Sequence, residues 1–415
     1  MTRAVRVWAL VAVWIACQAW LLQARWVNPD EGAHLMDARL AMEGLVPGVD
    51  YGARQPLYVY TYVPFLKVLG GGYVGGRVMP LLATLLGGWV IYLIGRRLWG
   101  QQVGAVAGLG YLFAPTIFIN AAVVKTEPLT ILLTALGVYG MVVHLQTGRW
   151  RPLALAGAAF GLGYYVRESA LGGLLAAIVV VLCQAREGWG RLLRRLIVLS
   201  GGFWLVCALV VGAYATRLPL TTIVSNDGLF PLYKVAKALQ GMTALPGIMD
   251  RGGDHAASFV AADAPAVYPT SQPWAARVGN LTDALRLNLP FVVGAAVAAC
   301  LWIAWSLRRR DPRPSRAGTH LGLCVAFSWL GSLVLSYGYY IVQRGFFQFY
   351  FREILPPLIL LSAFSLLHLC RLAGWERSLW RLGSRGRCSV PPASRSMRRF
   401  CWPPTRWRSG CHTGS

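Results

Sequence analysis

The stretch Asn28-Pro29-Asp30-Glu31-Gly32-Ala33-His34-Leu35-Met36-Asp37, closed further on by Tyr51-Gly52-Ala53-Arg54-Gln55-Pro56-Leu57-Tyr58, decides how the whole chain is read. It is the first polar segment after an apolar run that reaches Leu22. Two adjacent carboxylates therefore stand where a membrane helix should just have ended. Desolvating a carboxylate at a bilayer boundary is costly, so such a pair calls for a cation, a hydrogen-bond network or a catalytic duty. Two solvated loop acids are the plainer alternative.

The rest of the composition supports a membrane setting. The 415 residues are 56% hydrophobic and 13% charged, with a mean hydropathy of +0.50. That balance lies outside the range of soluble globular chains and marks an integral membrane protein. A net charge of +24 would point to nucleic acid in a soluble protein. In a membrane chain it must first be divided by side, and no nucleic-acid partner is expected. Cys17, Cys183, Cys207, Cys300, Cys324 and Cys370 fall in apolar runs and Cys388, Cys401 and Cys411 near the C-terminus, so neither a disulfide framework nor a metal-type Cys/His spacing is implied. The first apolar run, preceded by Arg3 and Arg6, has no small-x-small cleavage site behind it and reads as an uncleaved helix.

Apolar runs of roughly 20 residues span a bilayer. Ten are expected, near 5–24, 78–95, 103–123, 128–145, 152–166, 169–185, 196–215, 288–306, 319–342 and 354–371, the fifth and sixth being separable or one long kinked segment around Arg167-Glu168. Leu57–Leu69 is too short and aromatic to cross and is expected to be interfacial or re-entrant. The reading is an all-α membrane domain over 1–371, with a first outer loop at 25–77 containing an amphipathic helix and a large outer loop at 216–288. A further amphipathic helix is expected at Leu229–Met242, with Lys234 and Lys237. Residues 372–415, rich in Arg, Ser, Pro and Trp without periodicity, read as a basic cytoplasmic tail, either disordered and drawn to lipid or the product of a truncated or shifted reading frame.

Basic residues set the orientation, because short cytoplasmic loops collect them. With the N-terminus inside, Arg3/Arg6, Arg96-Arg97, Arg149/Arg151, Arg186/Arg191/Arg194-Arg195 and Arg308-Arg309-Arg310/Arg313/Arg316 share one face with the tail arginines. That face keeps only Glu187, Asp311 and Glu376 of the 16 acids. Polar chemistry is therefore expected on the extracytoplasmic face.

The first-loop pattern resembles the C-type glycosyltransferases, polytopic enzymes that use lipid-phosphate sugars, and among them the protein O-mannosyltransferases and lipid A aminoarabinose transferases. In that family an Asp-Glu pair follows the first membrane helix, an amphipathic helix comes next, and a basic residue with Pro-Leu-Tyr closes the loop. Asp30-Glu31, Gly32–Glu43 and Arg54-Gln55-Pro56-Leu57-Tyr58 match those parts in order, with Gln55 in place of a first proline.

The resemblance implies transfer of a monosaccharide from a polyprenyl-phosphate donor to the hydroxyl of a protein, lipid or glycan by inverting displacement. Asp30 is then the general base, with Glu31 tuning it or sharing a divalent metal ion with it. Leaving-group cations are implied at Arg54, Lys125 (in Lys125-Thr126-Glu127-Pro128), Arg167 (beside Glu168) and Arg352 (in Phe351-Arg352-Glu353-Ile354-Leu355-Pro356-Pro357-Leu358).

Each of these residues also has a plainer reading. Arg54 and Arg344 are expected as interfacial anchors if not as ligands, and Lys125 with Glu127, Arg167 with Glu168 and Arg352 with Glu353 as local ion pairs. Glu127 and Glu168 are the reserve acids. His34, one turn beyond Asp30, is a metal-site candidate or a polar cap. The aromatics Tyr337, Tyr339, Tyr340, Phe346, Phe347, Phe349, Tyr350 and Phe351 line a sugar or prenyl site, or form an interfacial belt. Asn280-Leu281-Thr282 is a glycosylation triplet with meaning only in a secretory pathway. The rival function is a transporter or lipid flippase holding an anionic solute, against which stands the lack of repeat symmetry and of a Gly/Pro-broken helix pair. A non-catalytic scaffold leaves Asp30-Glu31 without a purpose.

Overall fold

A computed structural model describes residues 3–25, 27–52, 55–184, 188–226, 229–233, 274–307, 314–343 and 350–373. Arg54, Arg344, Phe346, Phe347, Phe349, most of the expected helix Leu229–Met242 and the tail lie outside the described residues. Among those described the architecture is all-α, and the sole β pairing is an isolated bridge between Pro47 and Tyr51.

The helices are α1 (Arg3–Ala24), α2 (Pro29–Met42), α3 (Pro56–Leu69), α4 (Tyr73–Trp99), α5 (Gln101–Phe113), α6 (Pro115–Asn120), α7 (Glu127–Thr147), α8 (Trp150–Tyr164), α9 (Ala170–Leu182), α10 (Trp189–Ala215), α11 (Leu220–Val224), α12 (Trp274–Leu287), α13 (Leu289–Leu307), α14 (Pro314–Gln343) and α15 (Phe351–Leu372). Every expected span has a helix in its place, but their lengths are unequal. Among the described residues six stretches are long and apolar enough to cross a membrane: Val5–Ala24, Tyr73–Trp99, Glu127–Thr147, Trp189–Ala215, Thr319–Gly338 and Phe351–Leu372. α12 and the apolar α13 pass the same test only as a pair, bent by 81° at their break, the geometry of a broken span or of a re-entrant loop.

The shortfall from ten has local causes. Pro115 forces Ala114 out of the helical region (ψ 128°), so the expected span 103–123 breaks into α5 and α6. The polar turn at Arg167-Glu168 separates α8 from α9, which have 15 and 13 residues. Helices of that length reach only about 20 Å, short of the roughly 30 Å hydrocarbon thickness. α3 is the expected short element and buries Tyr58, Val59, Tyr62 and Leu66.

The bundle is held by close backbone approach and by a few interior polar contacts. α8 runs along α10, α4 along α5 and α7, and α15 along α13 and α5. At the α8–α10 crossing a Cβ on Gly157 would strike the Leu199 carbonyl, and one on Gly202 the Ala154 carbonyl, so only glycine lets these helices meet. α1 is tied in by the Trp14 indole N–H donating to the Leu112 carbonyl (2.8 Å) and the Gln18 amide donating to Phe118 (2.9 Å). One contiguous apolar core joins α1 to α15. The Arg97–Gln146 contact and Arg371 donating to Gln102 (3.3 Å) gather basic residues at one end of the bundle. At the other end the α1–α2 junction, the start of α4, the α6–α7 and α8–α9 turns and the start of α15 converge.

Candidate active site

A capping box fixes the start of α2. The Asn28 side-chain oxygen accepts from the Asp30 amide and the Asn28 amide donates to the Glu31 carboxylate, both at 3.0 Å, with Pro29 filling a first-turn position that needs no N–H partner. Consecutive helical residues point about 100° apart, so the two carboxylates take different directions. Glu31 turns inward and Asp30 outward.

Glu31 is fully buried. Its oxygens accept from Arg77 Nε and Nη2 at 3.0 and 2.8 Å and from the Val124 amide at 3.0 Å, besides Asn28. Burial pushes the Glu31 pKa up, but the Arg77, Val124 and Asn28 donors outweigh it and hold the group below its ordinary value. Arg77, itself 2% exposed, also donates to the Leu22 carbonyl at 2.8 Å. This node locks α1, α2, α4 and the residue before Lys125 together. Across it, Asp30 Oδ2 lies 2.8 Å from Lys125 Nζ, the aspartate side chain 56% exposed and the lysine 4%. The Tyr62 hydroxyl donates to the Lys125 carbonyl at 3.0 Å and supports that turn from behind.

A second group lies deeper. Glu127, the first residue of α7, sits where the helix dipole favours an anion and is flanked by two guanidinium groups. Arg167 forms a direct ion pair with it, and Arg352 Nη2 stands 3.8 Å away. Arg167 also reaches Glu353 at 3.3 Å and lies over the Tyr350 ring at 4.8 Å, which stacks on Tyr337 at 5.8 Å. Arg352 donates to the Asn120 carbonyl (3.3 Å), and the Asn120 side chain accepts from Arg25 (3.0 Å). Pro356 and Pro357 lie inside α15 and remove the N–H donors that would otherwise close on the carbonyls of Arg352 and Glu353.

Five of the expected residues, Asp30, Lys125, Glu127, Arg167 and Arg352, thus share one cluster with Glu31. The ion pairs of the cluster join different turns. Lys125 pairs with Asp30, Arg167 with Glu127 and Glu353, and Arg352 approaches Glu127. Glu168 accepts from the Gln55 side chain. His34 is half-buried, edge-on to Tyr58 at 5.0 Å; burial lowers its pKa, against the pull of Glu127 and Asp30. Sequence reasoning missed Arg77, Arg25, Asn120 and the role of Glu353. Arg77 carried a signal in its position, immediately before the uncharged apolar stretch 78–95 of the same helix, where a charge needs a buried partner.

The donor set around the Asp-Glu pair does not fit a divalent cation. Glu31 is saturated by Arg77 and two amides, Asp30 is turned to Lys125, and no group of three His, Cys, Asp or Glu residues that could hold a metal occurs among the described residues.

Residues 53–214 match the family model described as dolichyl-phosphate-mannose-protein mannosyltransferase. That stretch contains Arg77, Lys125, Glu127, Arg167 and Glu168, while Asp30, Glu31 and Arg352 join them through the geometry. No curated protein sequence matches the chain. The structure superposes on ArnT from Cupriavidus metallidurans in the apo state (TM-score 0.61, 18% identity, 91% of this chain and 62% of that one) and bound to undecaprenyl phosphate (0.62, 18%, 92% and 63%). It also superposes on the oligosaccharyltransferase AglB from Archaeoglobus fulgidus, in complex with an inhibitory peptide and a dolichol-phosphate (0.51, 13%, 92% and 52%). The chain spans less than two thirds of the length of these proteins. It is a multi-pass membrane protein built on the C-type glycosyltransferase fold.

Proposed function

We propose that the chain transfers a monosaccharide from a polyprenyl-phosphate donor to an acceptor hydroxyl on the extracytoplasmic face, in a single inverting displacement. The observation that carries this reading is the Asp30–Lys125 pair, a half-exposed carboxylate held against a buried ammonium at the rim of a cluster of guanidinium groups. A base for the acceptor proton and a cation for the phosphate are thereby adjacent. The acceptor oxygen attacks the anomeric carbon, its proton passes to Asp30, and the bond from that carbon to the phosphate oxygen breaks with its electron pair leaving on the phosphate.

Lys125 and Arg167 stabilise the charge that develops on the leaving group, as fixed cations in a partly dry site do. Donor phosphate competes with Asp30 for Lys125, so donor binding releases the carboxylate it needs as base. Glu31 acts through Arg77 and Val124 to hold Asp30 and Lys125 in register, and Glu127 and Glu353 keep Arg167 and Arg352 charged and aligned. His34, half-buried beside Tyr58, contributes a wall to the acceptor side. Likeness to a structure that holds undecaprenyl phosphate and to the mannosyltransferase family model supports the donor class.

The test is release of free polyprenyl phosphate from a labelled lipid-linked sugar by purified protein in the presence of a hydroxyl acceptor. Donor-dependent release with matching label in the acceptor is expected. Transbilayer movement of intact lipid-linked sugar without bond cleavage would replace this reading by a carrier.

A further inference from the structure

We propose that the chain binds the phosphodiester headgroup of an anionic membrane phospholipid in a pocket between α4 and α7, at the end of the bundle opposite Asp30 and Lys125. The pocket has a volume of about 270 Å³ and is lined by Leu93, Arg96, Arg97 and Tyr139. Its depth in the membrane follows from helix geometry. Arg97 lies 20 residues beyond Arg77 on α4, about 30 Å along the axis at 1.5 Å per residue, which is the thickness of the hydrocarbon layer. A pocket there opens at the level of phospholipid headgroups, with Leu93 one turn deeper toward the acyl chains.

The side chains are arranged for an anion. The Arg97 guanidinium lies over the Tyr139 ring at 5.9 Å and donates to Gln146 Oε1 at 3.4 Å, while Gln146 Nε2 donates to the Arg97 carbonyl at 2.7 Å. A planar guanidinium matches two phosphate oxygens at once. Arg96 and Arg97 are both exposed and open to a ligand. Among the described residues neither arginine has a carboxylate within ion-pair distance, unlike Arg77, Lys125, Arg167 and Arg352 at the other end. Two guanidinium groups without a carboxylate partner among the described residues, an aromatic wall and an apolar floor at the headgroup level fit a lipid better than a free anion, since Leu93 has no use for inorganic phosphate. Basic pockets between membrane helices hold anionic headgroups by the same combination.

Full-length protein in detergent, challenged with phosphatidylglycerol, phosphatidylcholine or inorganic phosphate, tests this by native mass spectrometry of the retained lipid. Retention of phosphatidylglycerol about 10-fold or more above phosphatidylcholine is expected, as for two charge-assisted contacts. Arg96→Gln/Arg97→Gln should abolish the preference, and Arg96→Gln alone, at an exposed position that the fold does not depend on, should weaken it. Arg149→Gln/Arg151→Gln removes the same charge from exposed positions at the same end and should leave it intact. Equal loss in that control, no preference in the unaltered protein, displacement by millimolar inorganic phosphate, or tighter binding of polyprenyl phosphate than of phosphatidylglycerol would each overturn the assignment.

Discussion

Replacing Arg77 by leucine removes both guanidinium bonds to a carboxylate that has no access to water, together with the bond to the Leu22 carbonyl. Breaking a buried pair by deleting one partner costs about 3–5 kcal/mol, because the remaining charge is left uncompensated. The Val124 and Asn28 amides still reach Glu31, which places the expected loss at about 3 kcal/mol, the lower end of that range. Unfolding by dodecyl sulfate titration in mixed micelles measures it. Combining Arg77→Leu with Glu31→Gln removes the stranded charge, so the double variant should be more stable than Arg77→Leu alone, a coupling of about 2 kcal/mol.

The pH dependence supplies an independent sign. In the unaltered protein the Glu31 pKa is depressed below its ordinary 4.5, so its contribution is present above that value and is lost as pH falls through the folded-state value. Without Arg77 its hydrogen bonds and charge no longer hold the carboxylate down while burial still pushes it up, so the folded-state pKa moves upward. The stability deficit of Arg77→Leu relative to the unaltered protein should therefore shrink as the pH falls. A loss below about 1 kcal/mol, no coupling to Glu31→Gln, or the same acid response in both proteins would refute the role given to this node.

Other outcomes follow from the same geometry. Lys125→Ala and Arg352→Ala should each cut turnover severely at near-normal protein level, with Arg352→Lys restoring only part because the planar fork is lost; near-wild-type activity in both alanine variants would leave these cations as anchors. Cysteines placed at Ala33, exposed on α2, and Gly318, near the start of α14, should react with impermeant thiol reagents from opposite faces, and labelling of both from one face would contradict the topology.

The polar punctuation of the chain was legible in its sequence. The helix expected over Gly32–Glu43 forms as α2, beginning three residues earlier at Pro29, and Pro56 opens a short aromatic helix that the structure places where expected. The arginine distribution separates two ends that the structure also separates. Helix length was less legible, because hydropathy integrates over the break that Pro115 makes at Ala114 and over the turn at Arg167. Ion-pair partners were least legible. Lys125 and Glu127 are two residues apart in sequence, yet each is paired across the fold, since a partner from another element can be buried with it while a neighbour in the same turn points elsewhere. Arg77 is hidden in the sequence because it closes the expected loop 25–77 just ahead of the apolar run 78–95, whereas the helix starts at Tyr73 and makes it the fifth residue of α4.

Asp30→Asn tests the central claim most directly, since the amide keeps the shape of the side chain but does not take up the acceptor proton. Turnover of a labelled polyprenyl-phosphate sugar by the purified variant should fall by about 10²–10⁴-fold, the usual span for loss of a general base, while binding of polyprenyl phosphate to the same preparation stays near normal. Wild-type turnover by Asp30→Asn would contradict the account and shift the search for the base to Glu127 or Glu168.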